Sequence, residues 1–142
     1  MVWNYNYIEH TADLAAEITG DTPEDLIRAS ITVLKNILIE GSVSNSIKKR
    51  IEKRASSLEE LIIDILSELN YQVLVKKWLF NEVSEIRLYK ESEFWNAVLT
   101  VSGELYNSAK HIIKEEIKAV TYHNLNIRYE NNKYITSLFF DV

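Results

Sequence analysis

Leu14-Ala15-Ala16-Glu17-Ile18-Thr19-Gly20-Asp21-Thr22-Pro23-Glu24-Asp25 carries the change of pattern on which the fold turns. Leu14 to Thr19 reads as a strand that stops at Gly20. Thr22 then offers a helix cap, Pro23 takes the first helical position, and Glu24 and Asp25 place acids in the first turn, where the helix dipole favours them. Beyond them Leu26, Ile27, Ile31, Val33, Leu34, Ile37 and Leu38 cover one broad helical face. Upstream, Trp3 to Glu9 alternates aromatic and polar residues, the period of a half-buried strand.

Downstream the same logic repeats. Ser57-Leu58-Glu59-Glu60 is a capping box, with Ser57 set to cap the amide of Glu60 and Glu60 set to reach back. It opens a helix through Leu61, Ile62, Ile65, Leu66, Leu69 and Val73 to about Lys77. Val83 to Lys90 and Trp95 to Leu105 return to strand alternation, rich in β-branched residues. Asn124 to Tyr129 and Lys133 to Asp141 flank Glu130-Asn131-Asn132, a hairpin turn because Asn tolerates positive φ. The expected fold is α+β: a two-layer sandwich of mostly antiparallel strands with two main helices. With no linker-like stretch, residues 1–142 read as one domain.

Composition narrows the function. The absence of cysteine excludes a disulfide framework, a thiol nucleophile and any thiolate-held metal. A net charge of −5 disfavours a protein that grips nucleic acid alone, because phosphate binding needs a basic surface. The densest basic run, Lys48-Lys49-Arg50 with Lys53-Arg54, reads as a solvated strand or a local phosphate contact. No apolar run reaches the ~20 residues of a membrane helix, and Met1-Val2-Trp3-Asn4 lacks the basic start of a signal peptide. A cytoplasmic protein is expected.

The residues with chemical potential gather near the two ends. Asp13 follows His10 by three positions, between two expected strands; it reads either as a turn carboxylate or as a hard-cation ligand. Asp141 closes an apolar strand whose Ile135, Leu138, Phe139 and Phe140 should anchor it. Val142 would contribute backbone oxygen. Two aspartates and a main-chain oxygen make a plausible open site for calcium, magnesium or manganese. His10 and His123 would orient those acids, bind metal themselves or serve a partner, or else be structural. His111 reads as structural or surface. Asp64 and Glu68, four apart on the second helix, read as a solvated pair rather than an acid–base couple. No glycine-rich phosphate loop exists, and Trp3, Tyr5, Tyr7, Trp78 and Trp95 read as core or interface anchors.

Four ordered motifs carry a resemblance: Tyr7-x-Glu9-His10-Thr11-Ala12-Asp13, the helix Leu61 to Leu69, Glu116-Ile117-Lys118-Ala119-Val120-Thr121-Tyr122-His123, and Asp141-Val142. Together they resemble the archease family from end to end, with Ser67 standing where many relatives have Asn, and Asn124 where they usually have Gly. The resemblance implies a fold similar to the redox chaperone Hsp33 without its cysteine switch. It implies an accessory protein, not an enzyme, that activates RtcB-type tRNA-splicing ligases by promoting their guanylylation on histidine and repeated turnover. It also implies a divalent metal, calcium before manganese or magnesium, held by Asp13, Asp141 and the backbone of Val142. His10 and His123 become secondary residues of that acidic tip. Two other classes stay open: a chaperone or modulator of a tRNA methyltransferase, and, further off, a metal-dependent hydrolase using Asp13, Asp141 and His123.

Overall fold

The structure, a computed structural model, describes residues 3–8, 14–121 and 126–142, with the Ile8 side chain left aside. In chain order the elements are β1 (Trp3–Ile8), β2 (Leu14–Gly20), α1 (Pro23–Leu38), β3 (Ile39–Glu40), β4 (Ile47–Ala55), α2 (Leu58–Leu74), β5 (Trp78–Glu91), β6 (Phe94–Leu105), β7 (Ile112–Ile113), β8 (Ala119–Thr121), β9 (Arg128–Glu130) and β10 (Lys133–Asp141). One sheet runs β1-β2-β10-β8, with β9 also on β10; a second runs β4-β6-β5; β3 and β7 form a small pair. Among the described residues every pairing is antiparallel. This is the α+β architecture expected from the sequence.

The helix starts follow their local signals. Thr22 has extended backbone and its hydroxyl accepts the Asp25 N–H, with Pro23 opening α1. Replacing Thr22 with Ala leaves that amide without its cap, so urea unfolding should show a loss of about 1 kcal/mol with an unchanged m-value. Ser57 likewise accepts the Glu60 N–H at 3.1 Å. The reciprocal half of the capping box differs: the Glu60 carboxylate accepts from the Ser56 hydroxyl at 2.7 Å.

The second helix also ends earlier than its apolar pattern suggests. Tyr71 O takes both the Val75 and the Lys76 N–H, and Lys77 adopts φ 57° before Trp78 enters β5. Trp78, Leu79 and Phe80 are all fully buried, so the start of β5 shows no alternation. Register shifts between Phe80 and Glu82 and between Val83 and Glu85 then reset which side chains face inward. Opposite Phe80, Gly103 is required by close approach: a Cβ there would fall on the Leu79 carbonyl oxygen.

The helices pack against each other. α1 covers β1, β2 and β10, while α2 covers β4, β5 and β6 and touches β8. Ile18, Leu138 and Phe140 from the first sheet join Leu34, Leu38, Leu61, Ile62, Leu66 and Trp78 in one continuous core. Each such side chain is worth roughly 1.5–3 kcal/mol of burial. The basic run in β4 is a strand, as its spacing indicates, yet only its outer face is solvated. On the inner face Lys49 bonds Gln72 at 2.6 Å and lies over the Trp78 ring, while Lys53 pairs with Glu68 at 3.1 Å. Glu68 is therefore a tie between α2 and β4 rather than a free surface carboxylate; hydrogen bonds from Gln72 and Lys53 hold its carboxyl below the usual range. Asp64 moves the other way, raised by burial.

Candidate functional site at one end of the five-stranded sheet

The expected site depends on whether distant strands finish side by side. They do. Because β10 lies between β2 and β8, Phe140 faces Leu14 on one side and Val120 on the other. Asp141 is opposite Ala119, and its carbonyl accepts the Lys118 N–H at 2.7 Å. Phe140 is completely buried while Asp141 and Val142 are half-buried, and Val142 packs against the core. Strand alternation accounts for the difference: anchoring Phe140 inward turns the Asp141 side chain to the opposite face.

Asp13, His10 and His123 lie outside the described residues. Leu14, next in sequence after Asp13, is the register partner of the residue before Asp141. Ile8 pairs with Ala15, so β1 reaches the same end of the sheet. The end of β1 and the start of β2 thus lie at the same end of the sheet as Asp141 and Val142. Among the described residues no three His, Asp or Glu side chains come together as a metal group. The donors that are described, the Asp141 carboxylate and the Val142 main-chain oxygen, are hard ligands suited to calcium, magnesium or manganese.

A supporting residue escaped the sequence reading. Asn70 on α2 donates its side-chain amide to Ile117 O at 2.9 Å, tying the helix to the segment that leads into β8. Its Oδ1 is buried and has no hydrogen-bond partner among the described residues. Nothing in the helical pattern separates this asparagine from a surface one, because its role depends on a chain segment far away in sequence.

His111 is structural. It is 1% exposed, its Nδ1 accepts the Asn107 N–H at 3.0 Å, and its Nε2 lies 3.1 Å from Glu104 Oε2. With Nδ1 acting as an acceptor, Nε2 carries the proton it donates to Glu104. The same carboxylate oxygen accepts from Lys110 Nζ and from the Ser44 N–H. Those donors, Lys110 first and then the Ser44 amide, lower the Glu104 pKa from 4.5 to about 2. A depressed carboxylate stabilises the fold above its unfolded value and loses that contribution as pH falls through the folded value. Melting temperatures followed from pH 5 to pH 2 should therefore fall more steeply for wild type than for Glu104→Gln; parallel curves would remove this cluster as a source of acid sensitivity.

The model of the archease protein family (MTH1598/TM1083) matches residues 5–142, and this chain belongs to that family. A protein archease of Methanopyrus kandleri is 32% identical over 95% of the chain and 96% of its own length. One from Methanosarcina mazei is 35% identical over 87% and 85%. Among solved structures, the Methanobacterium thermoautotrophicum protein 1598 superposes with a TM-score of 0.79 at 20% identity, covering 97% of this chain and 98% of its own. A Thermotoga maritima protein described as "an archease, possible chaperone" gives 0.63 at 24% identity, covering 95% and 94%. At those identities the structural matches establish the α+β fold.

Proposed function

We propose that this chain activates an RtcB-type RNA-splicing ligase, promoting its guanylylation and repeated turnover, and is not itself an enzyme. The observation that supports this most directly is the register of β10 against β2, which sets Asp141 beside the strand that follows Asp13. An acidic end built from oxygen donors suits a partner whose active-site region gathers metal, nucleotide and basic residues. The overall charge of −5 fits a protein that meets the ligase rather than the RNA.

Asp13, Asp141 and the backbone oxygen of Val142 would hold the divalent metal, calcium before manganese or magnesium. Bound there, the ion would supply positive charge at the acidic end. The chain's own part is positional: Phe140 anchors the strand, Lys118 fixes the Asp141 carbonyl, and His10 and His123 are assigned to shaping the tip.

A single-turnover assay with labelled GTP tests the proposal, comparing guanylylation of the cognate ligase with and without this protein. Acceleration supports it. A folded protein that leaves an active ligase unchanged sinks it, and directs attention to a chaperone or a modulator of a tRNA methyltransferase.

A further inference from the structure

Ile117 and Lys118 share one peptide group, and that group is held from both sides. Its carbonyl oxygen accepts the side-chain amide of Asn70 at 2.9 Å, and its N–H donates to Asp141 O at 2.7 Å. The C=O and N–H of a planar trans peptide point in opposite directions, so Asn70 and the Asp141 carbonyl lie across a single rigid plane. Such a plane can still rock between its two Cα atoms. The bond from Asn70 removes that freedom and keeps the Lys118 N–H aimed at Asp141. A carbonyl that accepts a hydrogen bond also polarises its own amide, which strengthens the bond on the far side.

The effect reaches one plane further. Asp141 O belongs to the peptide group that joins Asp141 to Val142, so holding this oxygen sets ψ of Asp141. That angle decides where Val142 stands relative to the Asp141 side chain. β10 ends at Asp141, and the Asp141 carboxylate and the Val142 main-chain oxygen are the two described donors of the proposed oxygen site. Their mutual geometry thus depends on a side chain of α2.

That helix is a firm base. Glu68 and Gln72, two residues to either side of Asn70 and so on the opposite face, bond Lys53 and Lys49 of β4. The residue type points the same way. Ile117 O can only accept, so the Asn70 amide nitrogen must face it and Oδ1 turns away. Oδ1 is buried and has no partner among the described residues. An unpaired buried acceptor destabilises a fold, so packing alone does not account for an asparagine here.

We infer that Asn70 is a positioning residue for the Asp141–Val142 oxygen site, acting through the Ile117–Lys118 peptide group. What the site holds rests on the metal reading given above; the clamped peptide does not.

Two measurements on the full-length protein, without ligase, separate these. Asn70→Leu and Asn70→Asp both lack the donor; the first also removes the orphan acceptor, and the second keeps the side chain's shape. In Asn70→Leu the loss of the bond and the loss of the orphan oppose each other, so its melting temperature should stay near that of wild type. Amide hydrogen exchange without metal is expected to be about tenfold faster at Lys118 in both variants, with wild-type rates in the middle of α2. Calorimetric titration with calcium should give a Kd raised about tenfold, the lower end of the ~10–100-fold effect of losing an outer-shell partner.

Wild-type exchange at Lys118 in both variants would overturn the inference. So would equal acceleration of all amides, unfolding of both variants, or faster Lys118 exchange with unaltered calcium affinity, since each makes Asn70 a scaffold residue. Should wild type bind no calcium, manganese or magnesium, the metal reading fails instead. The Lys118 exchange rates alone then decide whether Asn70 sets this strand end.

Discussion

Asp141→Ala is expected to leave the protein folded and to cut its acceleration of ligase guanylylation by about 100-fold or more. The expectation follows from where the carboxylate sits. Asp141 is half-buried at the end of β10 and, among the described residues, its side chain has no hydrogen-bond partner. Its backbone ties, to Lys118 and across to Ala119, survive the substitution. Removing the carboxylate therefore costs the fold little and would cost the proposed oxygen site one of its charged ligands. Loss of an outer-shell partner alone typically weakens metal binding by ~10–100-fold, and a direct ligand should matter at least as much.

Calcium gives a readout independent of the ligase. A ligand that binds only the folded state at 100 times its Kd adds about 2.7 kcal/mol of stability, so wild type should melt higher in calcium. Asp141→Ala should lose that rise. Full activation by Asp141→Ala, together with an unaltered calcium response, would remove Asp141 from the site.

Phe140→Ala, one residue away, should have the opposite character. Phe140 is wholly buried, with Leu14 and Val120 opposite it on the two flanking strands. Truncating such a ring costs ~3–5 kcal/mol, from lost burial and from the cavity left behind. Against a typical stability of ~5–15 kcal/mol, that is a large share. Urea unfolding should show the midpoint falling accordingly. Activation should decline as well, but in proportion to unfolded protein, and cooling or added osmolyte should restore it. A loss below about 1 kcal/mol would mean that this end of the sheet is loosely packed and that Phe140 does not anchor the site. Two adjacent residues thus separate chemistry from scaffold.

The helices were legible because their signals are local. Thr22 and Ser57 find their amide partners three residues on, and Pro23 fixes its own backbone. The Asn131-Asn132 turn was equally readable, and both residues do adopt positive φ, at 52° and 63°. What the sequence did not disclose rests on distant partners. Trp78 to Phe80 show no alternation because both faces are covered. β8 is three residues long and exists only because β10 offers it an edge. Lys49 and Lys53 read as solvent-facing until α2 is laid across them with Gln72 and Glu68.

The candidate site divides in the same way. Asp141 and Val142 stand at the half-buried strand end that their sequence context implied. Asp13, His10 and His123 lie outside the described residues, and only the pairing of Leu14 with Phe140 speaks to them. That pairing spans nearly the whole chain, which is why periodicity alone could not supply it.

The position of β10 between β2 and β8 has a consequence for synthesis. On the ribosome β1, β2 and α1 emerge before β10, and one side of β2 has no strand to pair with until β10 has been translated. Long-range pairing of this kind carries its loop-closure entropy before any contact repays it, so the sheet closes late and its open edge is vulnerable meanwhile. The same closing event creates the acidic end. A nascent or truncated chain without β10 would have no such end to show to a partner, so recognition at that end would also report that β10 has paired with β2.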